Sequence, residues 1–593
     1  MNRLFKNSTQ RVNIPLNDMW DFVIDPDEKG ITEKWYENFP ENSRKMNVPA
    51  CWNSEIDLFR YTGTAWYRTT FTTDCPNVYI YFEAVQNEAD VYLDGKHLGN
   101  HYGGFLGFGF EANNLSAGVH TLTVRVNNDL NDTDTFPLAT VDWFNYGGIA
   151  RPVTVLPLGK SWISNYQVSY TFTNELKDVC LHIKADVKTF EKQAGEFEIF
   201  VNDEKMHGEM MEIDGEKSVS FDIPLENITL WDIHKPALYY VKLAFCGDDI
   251  IERIGFREIK TEGQKIMLNR KPIRLLGVNR HEEHPDWGFS MPFPLIKKDI
   301  DIIRNLNCNA IRSSHYQNSQ KTADYCDEIG MLFWAEIPAW ERSPEAFGSE
   351  LTMERGLSMA KDMVKESFHH PSIIFLCVSN EGATNSQEAY GYVEKTIKQV
   401  KELDDSRLVC FVSRQAGPKH DARDLCFPLA DVVCLNYYIG WYFPVEDDDW
   451  TSFMESYSDF LKEINCYDKP FIMSEFGAAG LMGTNYFESS RWTEDYQADV
   501  LEFTLKQLLD NPQISGTYIW QFCDNRSCVN MEIERPRGYN NKGIVDERRH
   551  PKRAYRVVQK IYGEHLGLDY PHYETTLFGY SKWKKNDTIK IKV

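Results

Sequence analysis

The chain is 593 residues long, with 42% hydrophobic and 13% aromatic side chains, which is too apolar for a disordered chain and long enough for several large cores. Its 64 Lys and Arg against 88 Asp and Glu leave a net charge of −24, which argues against a nucleic-acid binder or a protein held on an anionic membrane, since both need a basic face. The leading MNRLFKNSTQ lacks the apolar core of a signal peptide, no stretch approaches a membrane span of about 18 apolar residues, and 13 cysteines are scattered without a CxxC pair, so a cytoplasmic protein with reduced thiols is expected.

Residues 1–160 read as β structure. AWYRTTF (65–71), VYIYFEA (78–84), ADVYLDG (89–95) and HTLTVRVNN (120–128) alternate apolar and polar side chains with period two, as in a jelly-roll β-sandwich. A second β block covers 161–260, with strands at QVSYTFT, CLHIKADV, FEIFVN, SVSFDIP and YYVKLAF. Its turn spacing suits an immunoglobulin-like β-sandwich. From 261 to 565 the pattern changes. Eight apolar runs, beginning at 273, 309, 332, 373, 408, 432, 471 and 517, alternate with helical windows such as 355–368. Eight continuous apolar strands with helices between them predict a (β/α)8 TIM barrel, closed by a helix over 551–563. Residues 566–593 lack periodicity and read as an ordered tail carrying Tyr570, Tyr573, Phe578, Tyr580 and Trp583.

In such a barrel the reactive side chains sit at the C-terminal strand ends. Those ends carry Asn279, Arg280 and His281, then His315, Glu336, Asn380 with Glu381, Asn436 with Tyr438, Glu475, and Trp520 and Asp524 on the eighth run. Glu381 and Glu475 each follow a strongly apolar strand, where a charge is costly without a use. Strands four and seven face each other across the mouth. Two carboxylates so placed are what glycosidic cleavage requires, one protonating the leaving oxygen and the other attacking the anomeric carbon. The rival reading is a pair of structural glutamates held by arginines. His281-Glu282-Glu283-His284 lacks the HExxH spacing, and no metal or cofactor is expected; nothing in the sequence points to a flavin.

SNEG (379–382) and SEFG (474–477) resemble the acid/base and nucleophile motifs of glycoside hydrolase family 2, the β-galactosidases and β-glucuronidases. NRHEEHPDWG (279–288) and AIRSSHYQNS (310–319) resemble its barrel-strand signatures, and the resemblance covers about residues 10–563. It implies a retaining exo-β-glycosidase with Glu475 as nucleophile and Glu381 as acid/base. Three segments are most similar to the glucuronidase branch. VDWFNYGGIARPV (141–153) implies that Asp142 bonds sugar hydroxyls. CLNYYIGWY (434–442) implies that Asn436, Tyr438 and Tyr442 line the sugar pocket. Asn540-x-Lys542 in NNKG implies a hold on the sugar carboxylate. A uronate needs such a cation in a protein of this charge, with Arg535 and Arg537 close in sequence as a second source. Asn380 is expected to bond the sugar 2-hydroxyl, His315 to touch sugar or nucleophile, and Trp520 to stack on the pyranose.

The same resemblance implies β-glucuronides, small or oligosaccharide, as substrates and a homo-oligomer, dimer or tetramer. A β-galacturonidase, a β-galactosidase and a non-catalytic carbohydrate-binding protein remain the alternatives. Where relatives carry proline after the acid/base, this chain has Gly382, and Ile439 replaces an aromatic. The segment from Pro338 to Met353 is short, so a site open to large aglycones is expected.

Overall fold

The computed structural model describes residues 3–415, 423–445 and 449–568; the expected tail beyond Leu568 lies outside them. Residues 14–157 form an antiparallel sandwich. One sheet has six strands, Arg44–Asn47, Met19–Ile24, Thr64–Thr73, Gly118–Asn127, Glu88–Leu93 and Lys96–Tyr102 in spatial order, and the facing sheet has four. Alternation is the cause. In Val78–Phe82 the side chains of Val78, Ile80 and Phe82 are buried and the tyrosines between them are half-buried. The inward set packs with Trp20, Phe22, Tyr67 and Val124 into one core.

Seven further strands, between Ser161 and Ile254, form the second sandwich in sheets of three and four, the immunoglobulin-like arrangement. Three short antiparallel strands between Ile259 and Ile273 follow. Their Ile266 and Leu268 pack against Leu275, Ala310, Leu332 and Trp334 and seal the lower end of the barrel.

The barrel strands are β1 Leu275–Asn279, β2 Ala310–Arg312, β3 Leu332–Glu336, β4 Ile373–Asn380, β5 Leu408–Val412, β6 Val433–Asn436, β7 Phe471–Phe476 and β8 Ile514–Ile519. All are parallel, and every residue in them is buried, so they read as continuous apolar runs. The ring closes between β5 and β6 through Ser413. Its N–H donates to the Cys434 carbonyl (3.0 Å) and its carbonyl accepts from the Asn436 N–H (2.9 Å). The outer helices begin at side-chain caps, such as Ser349, Ser386 and Thr493. Gly330 ends the helix Gln320–Ile329 at φ +73, where an added Cβ would lie 2.4 Å from the Ile233 carbonyl oxygen. All 13 cysteines are free. No helix among the described residues is long and apolar enough to cross a membrane.

The eighth strand differs from the expected run. It starts three residues earlier, at Ile514, and stops before Trp520. Pairing decides this: Gly516 and Thr517 lie beside Leu275 and Leu276 on one side and Ile472 and Met473 on the other. Trp520 therefore stands at the strand end and Asp524 lies in the loop beyond it.

The N-terminal segment joins the domains. Arg3 donates to Asp324 of a barrel helix (2.9 Å) and to Glu252 of the second sandwich (3.0 Å), with all three side chains nearly inaccessible. Burial alone would raise the Glu252 carboxyl, but Arg3 and His369 outweigh it and hold it well below the usual range. Arg3→Ala removes the nearest cation from two buried carboxylates, leaving Glu252 with His369 (3.4 Å) and Asp324 with the more distant Arg253 (3.7 Å). The expected loss is about 3–5 kcal/mol at pH 7. A carboxyl held down contributes stability above its unfolded pKa that is lost as pH falls, so the penalty shrinks in acid. Thermal melts of both proteins at pH 7 and pH 4 check this; an unchanged melting temperature at pH 7 would contradict it.

Candidate active site

The strand ends converge on one guanidinium. Arg312 closes β2 and is fully buried. Its Nε and Nη2 grip Glu336 of β3 in a fork (2.9 and 3.1 Å). Nη1 donates to Glu475 Oε1 of β7 (2.8 Å) and Asn279 Oδ1 of β1 (3.1 Å), and Nη2 also donates to Asn380 Oδ1 of β4 (2.7 Å). One side chain, at the end of β2, thus sets the positions of groups from four other strands.

Glu475 is 4% exposed. Its second oxygen accepts from the Tyr438 hydroxyl (2.7 Å). His315 Nε2 approaches Oε1 to 3.8 Å while its Nδ1 sits 2.8 Å from Glu336. Burial pushes Glu475 up, Arg312 opposes it, and the nearby charge of Glu381 adds to the rise, for a value of about 8; Tyr438 and Arg312 hydrogen bonds favour the ionised form. Glu336 has the opposite balance. Burial would raise it, but Arg312 and His315 hold it at about 2. Glu336 is therefore a fixed negative charge, and Glu475 is the carboxyl that can change its state.

Glu381 follows β4 with φ +53, a left-handed turn that ends the strand. Its Oε1 accepts from Asn436 Nδ2 (2.7 Å), and Asn436 in turn accepts from Ser474 Oγ (2.8 Å). A Cβ on Gly382 would sit 2.5 Å from the Phe347 ring, so the packing of Phe347 demands glycine there. Asn380 Nδ2, beside Glu381, is buried and has no partner.

A second group lies beside the first. Asp142 arrives on the loop that leaves the first sandwich after Asn127. That loop is anchored by Trp143, Phe144 and Tyr146 packed on Phe289, Tyr316 and Trp340. Asp142 accepts from Arg535 Nη2 (2.7 Å) and Asn540 Nδ2 (2.5 Å). Lys542 is 2% exposed. Its Nζ donates to the Tyr442 hydroxyl (2.9 Å) and lies over the rings of Tyr442 (4.9 Å), Trp441 (5.5 Å) and Tyr438 (5.7 Å). Among the described residues no carboxylate stands within ion-pair distance of it. Tyr438 joins the two groups, since it touches Glu475 with its hydroxyl and Tyr442 with its ring (5.1 Å).

All eleven residues expected from the sequence converge here, several with partners the sequence did not indicate. Asn436 and Tyr438 are bonded to the two glutamates and position them. Trp520 is 3% exposed and stacks on His315 (5.0 Å). Asp142 holds Arg535 and Asn540 in place. Arg312 was missed as a site residue, although a lone arginine in the buried run AIR was a usable signal. Glu341 and Arg414 were missed with no signal at all. Burial first and the Glu381 charge next raise the Glu341 carboxyl, and Arg414 Nη1 donates to it at 2.6 Å. The HEEH run is spent on structure: Glu282 takes Arg280 (3.2 Å), Ser319 N–H (2.8 Å) and Thr322 (2.6 Å).

Residues 259–565 match the family description "Glycosyl hydrolases family 2, TIM barrel domain", and residues 14–159 match "Glycosyl hydrolases family 2, sugar binding domain". A β-glucuronidase of Streptococcus agalactiae is 27% identical over 86% of this chain and 90% of its own length. A family 2 β-galacturonidase from Eisenbergiella tayi, solved with galacturonate, is 30% identical and superimposes with a TM-score of 0.87 over 95% of this chain and 99% of that one. A β-glucuronidase of Ruminococcus gnavus, solved with D-glucuronic acid, shares the fold at 24% identity, with a TM-score of 0.82 over 95% and 99% of the two chains.

Glu475 has a consequence for stability. Burial and the Glu381 charge raise its carboxyl from the ordinary 4.5 to about 8 in the folded chain, against Arg312 and Tyr438, which favour the ionised form that attack requires. Between those values the folded state binds more protons, so stability falls as pH rises. Glu475→Gln removes this titration. The variant is expected to gain melting temperature relative to wild type on going from pH 5 to pH 8. Melts at both pH values check this, and an equal offset at each would contradict it.

Proposed function

This chain belongs to glycoside hydrolase family 2, and from that premise we propose that it is an exo-acting β-uronidase, cleaving β-D-glucuronides to glucuronic acid and an aglycone with retention of configuration. The observation that carries the sugar assignment is Lys542. A buried ammonium caged by three aromatic rings with no carboxylate partner is costly unless a ligand supplies the anion. Arg535 is already answered by Asp142 at 2.7 Å; Lys542 is not answered. A uronate carboxylate between Lys542 and the Asn540 amide completes the site, and it offsets the repulsion from a chain of net charge −24.

The reaction is a double displacement. An oxygen of Glu475 bonds to the anomeric carbon as the glycosidic C–O bond breaks, and the Glu381 proton passes to the leaving oxygen. Glu381, now a carboxylate, takes a proton from water. That water oxygen attacks the anomeric carbon, and Glu475 leaves as a carboxylate. Arg312 and Tyr438 stabilise the ionised nucleophile before attack and after release. The unpartnered Asn380 Nδ2 suits a donor to the sugar 2-hydroxyl. The segment from Pro338 turns quickly into the helix Pro344–Gly348, which supports a cleft open to larger aglycones, including uronic acid at an oligosaccharide end.

The galacturonate-bound relative favours a second reading, a β-galacturonidase. Lys542 serves either uronate, and only contacts to the 4-hydroxyl separate them. A β-galactosidase would leave Lys542 without a use, and a non-catalytic binder would not need Arg312 and Tyr438 on Glu475. The test is kcat/KM on 4-nitrophenyl β-glucuronide, β-galacturonide and β-galactoside. Wild type is expected to prefer a uronide. Lys542→Met should lose about 2–5 kcal/mol on that uronide, from about 30-fold to several thousand-fold, with little effect on the galactoside. A preferred galactoside with Lys542→Met neutral would overturn the uronide assignment.

A further inference from the structure

Lys542 and the rings around it stand on loops that leave different strands. Trp441 and Tyr442 follow β6, and Asn540 and Lys542 follow β8. A third loop, after β7, touches the second of these: the Gly480 N–H donates to the Asn541 carbonyl (3.0 Å). The first turn of helix Glu494–Asp510 reaches all three. Thr493 caps it and accepts from the Tyr496 N–H (3.1 Å). Tyr496 donates its hydroxyl to the carbonyl of Gly440, the residue before Trp441. Gln497 is fully buried, and its Nε2 donates to the carbonyls of Ala478 (3.0 Å), Gly543 (3.0 Å) and Lys542 (3.2 Å). Glu494 accepts from the Gly483 N–H (2.6 Å) in the loop after β7 and from the Arg553 N–H (2.6 Å) where the closing helix begins.

We propose that Tyr496 and Gln497 are positioning residues for recognition of the sugar carboxylate: this helix turn fixes the backbone of Lys542 and of its aromatic cage against the strand that carries Glu475. The inference rests on the uronide reading and deepens it. A lysine ammonium sits on a flexible four-carbon stem, so its side chain alone does not define where the charge stands. The place of its backbone and the rings beside it do. Gln497 sets the first, helped by the Gln521 N–H, which donates to the Lys542 carbonyl (3.1 Å), and by Asp524, which accepts from the Gly543 N–H (2.9 Å). Tyr496 sets the second.

Ala478 lies three residues past Glu475, so one amide spans the loop of the cation and the loop that follows Glu475. A uronate needs that span held. Its carboxylate and its anomeric carbon belong to one ring, and both must meet their partners at once. An uncharged sugar has no carboxylate and does not use the span. Gln497 also keeps its Oε1 buried without a partner. An apolar side chain would fill the same space without that cost, so the amide is explained by the three carbonyls it holds.

The experiment is a double-mutant cycle. Gln497→Met and Tyr496→Phe are made in wild type and in Lys542→Met. Values of kcat and KM are read on the preferred 4-nitrophenyl β-uronide and on the uncharged β-glycoside of the same stereochemistry. In Gln497→Met, KM for the uronide is expected to rise about 10-fold while kcat stays within about 3-fold. The uncharged glycoside should keep kcat/KM within about 3-fold, because it does not engage the cation. In Lys542→Met the same substitution should cost the uronide no more than about 2-fold further, since the group it positions is gone. Tyr496→Phe removes one hydroxyl and keeps the ring. It should show the same pattern at about 3-fold, which keeps the test open if Gln497→Met folds poorly. Equal losses on the two sugars, or the full loss again in Lys542→Met, would mean a merely structural role and overturn the proposal. A wild type that prefers the uncharged glycoside, with Lys542→Met neutral, overturns the uronide reading and this proposal with it.

Discussion

Arg312 is the constraint on which the rest of the site depends. A guanidinium without water is tolerable only if every donor finds an acceptor, and this one finds two carboxylates and two amides. Buried ion pairs often add little net stability over apolar packing. The return here is geometric. Four strands of the barrel present their ends to the planar fork carried by a fifth, so the acceptors are held at fixed angles before any substrate arrives. Glu336, kept ionised, balances Arg312 and leaves Glu475 as the group whose charge can vary.

The same economy of charge runs outward from Glu475. Tyr438 donates to Glu475 through its hydroxyl and offers its ring to Lys542. Asn436 connects Ser474, next to Glu475, with Glu381. Three glutamates, 341, 381 and 475, are lined along the mouth with one arginine at each end, Arg414 and Arg312. Burial raises the Glu341 and Glu475 carboxyls there, and the neighbouring charge of Glu381 adds to both. That is a cost to stability at alkaline pH.

The first sandwich contributes more than a surface. Its loop after Asn127 reaches the barrel, and an aromatic cluster from both domains fixes it. Asp142 at its tip neutralises Arg535 and orients Asn540. The barrel alone would lack this wall, and Lys542 would stand beside a second, unbalanced cation. Arg3 works to the same end from below, tying the second sandwich to the barrel.

The sequence alone carried the architecture and singled out the two glutamates at the strand ends. Period-two alternation marked the sandwiches, continuous apolar runs marked the barrel strands, and a glutamate after IIFLCVS and another after FIMS stood out because burial makes such charges expensive. The Asn-x-Lys spacing after strand eight was legible as well. Pairing shifted β8 by three residues, since the register belongs to β1 and β7 and cannot be read from one strand. Local patterns also say nothing of who faces whom. Only the folded barrel turned Asn436 and Tyr438 from pocket lining into supports for the glutamates. Only it let the charge of Glu381 act on Glu341 across 40 residues of chain and set Arg414 beside Glu341. Burial and charge are local costs that a sequence records residue by residue; hydrogen-bond partners are long-range choices that closure of the barrel makes.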